Sequence, residues 1–187
     1  MGFQADLPAF ADRDEIRELL AIWYKWADGK TVPNREQMNL RDISKYLDCV
    51  MLFDVISHAE INIRYFASLY MDYFGADYTG RNYLEVTEPA LREMRAARMM
   101  NVVSHPCAAV WTTLGKHEGK MQEYTVGLSV PIIACEKGLK PMQMLQVCFP
   151  LAGRERPSFS DQPIANVTVA NNHMYVDIGA GVPQTVS

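Results

Sequence analysis

Of the residue types that carry chemistry, this chain holds four histidines and four cysteines among 187 residues, and their spacing limits what they can do. His58, His105, His117 and His173 stand far apart. None has a second His or a Cys three or four residues away, the separation that sets two ligands on one helix face, so no metal site is expected. Cys49, Cys107, Cys135 and Cys148 form no C-x-x-C and read as small buried hydrophobes rather than a redox centre. Asp54, Asp72, Asp77 and Glu85 are the candidates for acid–base chemistry, and Asp54 with His105 is the pair that a small α+β enzyme would use. Nothing in the sequence brings that pair together. There is no glycine-rich loop closing on Lys-Ser/Thr, no G-x-G-x-x-G after a strand and no G-x-S-x-G elbow, so the chain is read as non-catalytic.

Binding chemistry is better represented. The stretch Ile61–Val86 opens with β-type alternation and turns into a compact aromatic segment punctuated by Gly75 and Gly80, an arrangement suited to covering one face of a sheet. A largely apolar pocket is expected between that sheet and a long helix, lined by some of Tyr65, Tyr83, Met94, Met100, Trp111 and Tyr124. Soft methionines and aromatics with a polar tip fit an adaptable site for a small apolar or aromatic ligand, and the same residues also fit a plain core. His105, at the end of the helix, is the histidine placed to approach such a pocket, although capping of terminal carbonyls also suits it.

The elements that must position these residues follow from periodicity. Asp12 and Glu15 make a capping-box start, and Ile16, Leu19, Leu20, Trp23 and Ala27 recur on one helical face until Gly29, giving a helix over about 13–28. Ile22, Tyr24 and Trp26 widen the stripe beyond what one packing partner needs, so Ile22, Trp23 and Trp26 are the expected homodimer interface, the alternative being that Trp26 lies on the domain's own sheet or under the C-terminal tail. After a linker containing Pro33, a helical turn carries Ile43, Tyr46 and Leu47, and the apolar run Cys49–Ile56 reads as a strand buried on both faces. It pairs through Ser57-His58-Ala59-Glu60 with the strand at Ile61.

A helix capped at Thr87 is expected to run to about Ser104, with Ala90, Met94, Ala97, Met100 and Ser104 toward the sheet and Arg92, Arg95 and Arg98 on the opposite, solvated side. Three strands follow, Ala108–Leu114, Tyr124–Ala134 and Met142–Leu151, turning at residues 116–120 and 136–138. Strands interrupted by a helical insert indicate an α+β fold. Residues 1–44 are read as N-terminal helix and linker, 45–151 as the core domain and 152–187 as an extension whose pieces Val167/Val169 and Met174/Val176/Ile178 suit either a small hairpin about Asn171-Asn172 or an arm packed on a partner.

The net charge of −4 gives no basic excess for nucleic acid or an anionic membrane. With no apolar run approaching a membrane span and no basic, apolar leader, a cytoplasmic location is expected.

One further pattern bears on the family. Trp23, Pro33, Arg35, Asp42-Ile43, Leu47, Leu52-Phe53-Asp54-Val55, Arg64 and above all Gly75-x-Asp77-x-Thr79-Gly80-Arg81 resemble the stand-alone PAS-domain family common in alphaproteobacteria, over roughly Ile16 to Leu151. The resemblance implies a five-stranded antiparallel sheet in the order 2-1-5-4-3, helices over one face, and a sensory role. The flavin-binding PAS motif, Asn-Cys-Arg-Phe, is absent, so flavin is not expected; nor is haem, and no other cofactor is indicated. About 36 residues beyond Leu151 are too few for a kinase or cyclase, which makes a signalling-protein partner the expected output.

Overall fold

A computed structural model describes residues 5–117, 120–134, 142–151 and 169–184. Along the chain come α1 (Asp14–Ala27), a 3-10 segment (Leu40–Cys49), β1 (Val50–Ser57), β2 (Glu60–Phe66), α2 (Ser68–Phe74), α3 (Arg92–Ser104), β3 (Ala108–His117), β4 (Lys120–Ile133), β5 (Met142–Pro150) and β6 (Val169–Val176). The strands form one antiparallel sheet in the order β2-β1-β5-β4-β3-β6. The α+β class and the order 2-1-5-4-3 are as expected, with a sixth strand added beside β3. Parts of the expected turns at 116–120 and 136–138, and the connector 152–163, lie outside the described residues.

That sixth strand corrects the expectation of a separate C-terminal hairpin. Val169–Val176 is a single strand, with Ala109 opposite Tyr175 and Thr113 opposite Ala170. Asn172 does adopt left-handed geometry (φ 48°), but as part of an irregularity between Val110 and Thr112 rather than as a turn.

Because side chains alternate across a strand, the register divides the sheet into two faces. On β4 and β5 the outer face carries Val126, Leu128, Val130, Leu145, Val147 and Phe149, all buried. Their cover is α1 with the 3-10 segment. Tyr46 packs edge-on against Phe149 at 5.2 Å, and its hydroxyl donates to Glu18 of α1 at 2.5 Å. The Trp26 indole N–H donates to Asp42 Oδ2 and the Trp23 indole N–H to the Pro131 carbonyl of β4, each at 2.9 Å. A buried indole needs such an acceptor, and these two fix the C-terminal half of the helix.

The homodimer expectation loses its anchors here. Trp23 and Trp26 are 1% and 4% exposed within the chain itself, so most of the broad stripe is buried internally and Ile22 and Tyr24 remain half-buried. The helix ends also differ from expectation. Asp12 pairs with Arg17 instead of capping, Arg13 occupies the N-cap position, and Asp28 (φ 47°) takes the left-handed C-cap one residue before Gly29.

Trp23 is accordingly expected to be a major stability determinant. Trp23→Ala should cost about 3–5 kcal/mol, with Trp23→Phe in between through the unpaired Pro131 carbonyl. Urea unfolding at constant m-value measures this. An unchanged midpoint for Trp23→Ala would contradict the assignment of α1 as the cover of the outer face.

Candidate functional site: an inner-face cavity

The inner face of the sheet carries residues of a different kind. Along β4 the outward Val126, Leu128 and Val130 alternate with inward Thr125, Gly127 and Ser129, and both sets are buried. Such a floor leaves space that larger side chains would fill. At Gly127 the space is taken by the indole of Trp111, directly opposite on β3, and a Cβ there would overlap the ring. Thr113 and Thr125 share a 2.5 Å hydroxyl contact, the Cys148 thiol donates to Thr125 Oγ1 at 3.0 Å, and Gln146 of β5 stands next to Ser129. Burial pushes the Cys148 thiol up to about 11, which leaves it an inert thiol rather than a nucleophile.

The roof is α3. Its buried stripe is Ala96, Met99, Val102 and Val103, so the helix is turned relative to the expected face. Ala90 and Ser104 are exposed and Met94, Ala97 and Met100 half-buried. The reason lies at its start. Thr87 does not cap; its hydroxyl donates to the Tyr83 carbonyl, and a 3-10 turn over Pro89–Leu91 delays the helix to Arg92. Arg92 then donates to the carbonyls of Thr87 and Glu85, while Arg95 and Arg98, expected on the solvated side, flank Met99 and reach the sheet side.

Between floor and roof is a cavity of about 120 Å³. The sheet contributes Met51, Trp111, Thr113, Thr125, Met144 and Gln146, and α3 contributes Arg95, Arg98, Met99 and Val102. Tyr70 and Phe74 of α2 and Tyr83 close one side. They are buttressed by an aromatic cluster in which Phe66 meets Tyr70, Phe74 and Tyr78 at 5.5–5.9 Å and Phe53 meets Tyr83 at 5.3 Å. The Arg95 guanidinium donates to the Tyr83 hydroxyl at 2.6 Å. His173 reaches in from β6.

The loop carrying Asp77, Thr79 and Gly80 holds this wall to the sheet. Asp77 Oδ1 accepts from the Thr79 backbone N–H and hydroxyl at 2.8 and 2.7 Å, which holds the Asp77 carboxyl below its usual range. Gly80 has φ 84°, and the backbone then pairs with the free edge of β2 through Gly80 to Ile63, Ile63 to Arg81, and Tyr83 to Ile61.

Of the expected pocket residues, Tyr83 and Trp111 are brought to the cavity. Tyr65 is 45% exposed on β2, its hydroxyl 3.4 Å from the Leu47 carbonyl, and Met94 and Met100 sit on the flanks of α3. The Tyr124 side chain lies outside the described residues. His105 ends α3 beneath the C-terminal segment, its buried Nε2 so close to Gly181 that a Cβ there would stand at 3.5 Å. Asp54 is engaged elsewhere, accepting from Gln143 at 2.6 Å and pairing with Arg64 at 3.0 Å. The Asp54–His105 pair considered for catalysis therefore does not converge on the cavity. Among the described residues no cluster of three or more His, Cys, Asp or Glu could hold a metal.

Sequence reasoning missed Arg95, Arg98 and His173. The signal that could have found the cavity is the small or polar alternation Thr125-x-Gly127-x-Ser129 inside a strand whose other face is wholly apolar.

The family model for the PAS domain matches residues 12–133. The chain belongs to the PAS-domain family. The matched span takes in α1 and runs to the end of β4, so the N-terminal helix is part of the PAS match, whereas β5 and β6 follow it. No curated protein and no solved structure gives a match. PAS domains have sensory and regulatory roles, and the cavity lies between the helical layer and the sheet of this one. No helix among the described residues is long and apolar enough to cross a membrane.

His173 gives the PAS cavity a pH signature. Burial, reinforced by the Arg98 charge, lowers the imidazole from 6.5 to about 4. Above pH 6.5 the ring is neutral in both folded and unfolded chains. As pH falls from 6.5 toward 4 the unfolded chain takes up a proton that the folded one refuses, so this contribution to stability is lost on acidification. The slope is at most about 1.4 kcal/mol per pH unit, less for a ring that keeps some exposure. His173→Gln should flatten the pH dependence of Tm in that window; identical slopes for both proteins would contradict it.

Proposed function

We propose that this PAS protein is a sensor whose inner-face cavity takes a small molecule and whose occupancy is passed to a protein partner. The observation that carries the reading is the cavity itself, built at a place where a plain core would be filled. Thr113, Thr125 and Gln146 put hydroxyl and amide groups into a space walled by Trp111, Met51, Met99 and Met144, the pairing of apolar walls with a few polar groups that suits ligand recognition.

Transmission is proposed to run through β6. Among the described residues this strand is at the edge of the sheet, pairs only with β3, and carries both His173 in the cavity and the half-exposed Met174 on the other face. Tyr175 ties it to the roof by accepting from Asn101 of α3 at 3.0 Å. A ligand that moves His173 or α3 therefore acts on an edge available to another protein.

Native mass spectrometry of the intact chain purified from its source, set against its denatured mass, tests the reading. A released small-molecule mass, absent when Met99→Trp fills the cavity, is the expected result. A folded protein with no added mass in either form would contradict it.

A further inference from the structure

Arg95 and Arg98 stand three residues apart on α3 and share with Met99 and Val102 the face over the cavity. A guanidinium beside a largely apolar space normally brings a carboxylate with it, because unpaired buried charge is costly, and Arg98 is the one that bears on this. Here the lining contains no Asp or Glu among the described residues. None of the described ion pairs involves Arg98, while Arg95 is engaged with the Tyr83 hydroxyl. Arg98 is half-buried, and burial together with the neighbouring Arg95 charge holds its pKa below the ordinary value. Burial and the Arg98 charge keep His173 neutral, so it adds no further positive charge and can donate a hydrogen bond.

We propose that the cavity binds a small organic monocarboxylate, its carboxylate held by Arg98 with Arg95 beside it and its apolar body lying against Trp111, Met99 and Met144. This deepens the small-molecule reading above and rests on it. The guanidinium fork matches a planar carboxylate, and the walls of Trp111, Met99 and Met144 suit an apolar body that an inorganic anion lacks. Size sets the body. An apolar protein cavity of about 150 Å³ holds benzene, so a space of about 120 Å³ suits a single ring or a short branched chain.

Isothermal titration of the intact chain at pH 7 with matched probes tests this. Benzoate and isovalerate are compared with benzyl alcohol and isoamyl alcohol, which keep the shape without the charge, and with inorganic phosphate. The acids are expected to bind about tenfold or more tighter than the alcohols, as a charge-assisted hydrogen bond implies. Arg98→Met should abolish that preference while leaving the alcohols within about twofold, and Arg98→Lys should keep part of it. Should Arg98→Met not fold, the acid–alcohol comparison on the unaltered chain and on Arg98→Lys still decides.

Alcohols binding as tightly as acids would overturn the anion proposal while leaving a small-molecule cavity in place. So would phosphate equalling benzoate, or an acid preference that survives Arg98→Met. Binding of neither acids nor alcohols would overturn the cavity reading along with it.

Discussion

The indole of Trp111 lies across the bare backbone of Gly127, and the interior follows from that contact. A ring laid on one strand covers the floor without filling the volume above it, and no residue larger than glycine at 127 leaves room for it. The neighbouring inward positions on β4 are Thr125 and Ser129, too short to reach α3. The roof then rests on Met99 and Val102, with the longer Arg95 and Arg98 at its margin. What would be wasted packing in an ordinary core becomes a defined space with polar groups at both levels.

The opposite face of the sheet shows what a filled interior looks like in the same chain. There Val126, Leu128, Val130, Leu145, Val147 and Phe149 meet α1 and the 3-10 segment, and the two indole N–H groups of α1 find acceptors at Pro131 and Asp42. Those six side chains are buried within the chain itself. The division of labour is clear in energetic terms: the outer face supplies apolar burial and fixes the sheet, which allows the inner face to leave volume open.

Much of this was legible in the sequence where local chemistry decides the structure. The turn at Asp77, Thr79 and Gly80 forms through the side-chain and positive-φ geometry those residue types predict, and the α1 stripe marks the buried side of its helix. Strand order followed the family resemblance. The rest depended on contacts between distant segments. α3 is apolar over a wide arc, so its facing is set by where the 3-10 turn at Pro89 releases it, and that turned Arg95 and Arg98 inward. Likewise Trp26 finds its acceptor 16 residues away at Asp42, which no periodicity could show to be an intramolecular partner. β6 joins β3 across a long connection, and the short polar run Asn171-Asn172 looked more like a turn than part of an edge strand.

The account stands on the cavity being a real, accessible space, and xenon tests that without presuming any ligand. In a methyl-labelled methionine NMR spectrum of the intact chain under xenon pressure, the methyls of Met51, Met99 and Met144 should shift in a saturable way, as apolar protein cavities take up this gas. Those of Met94 and Met174, outside the cavity, should hardly move. Equal, non-saturating shifts at all five methyls would mean that the interior between α3 and the sheet is filled, and would contradict the account.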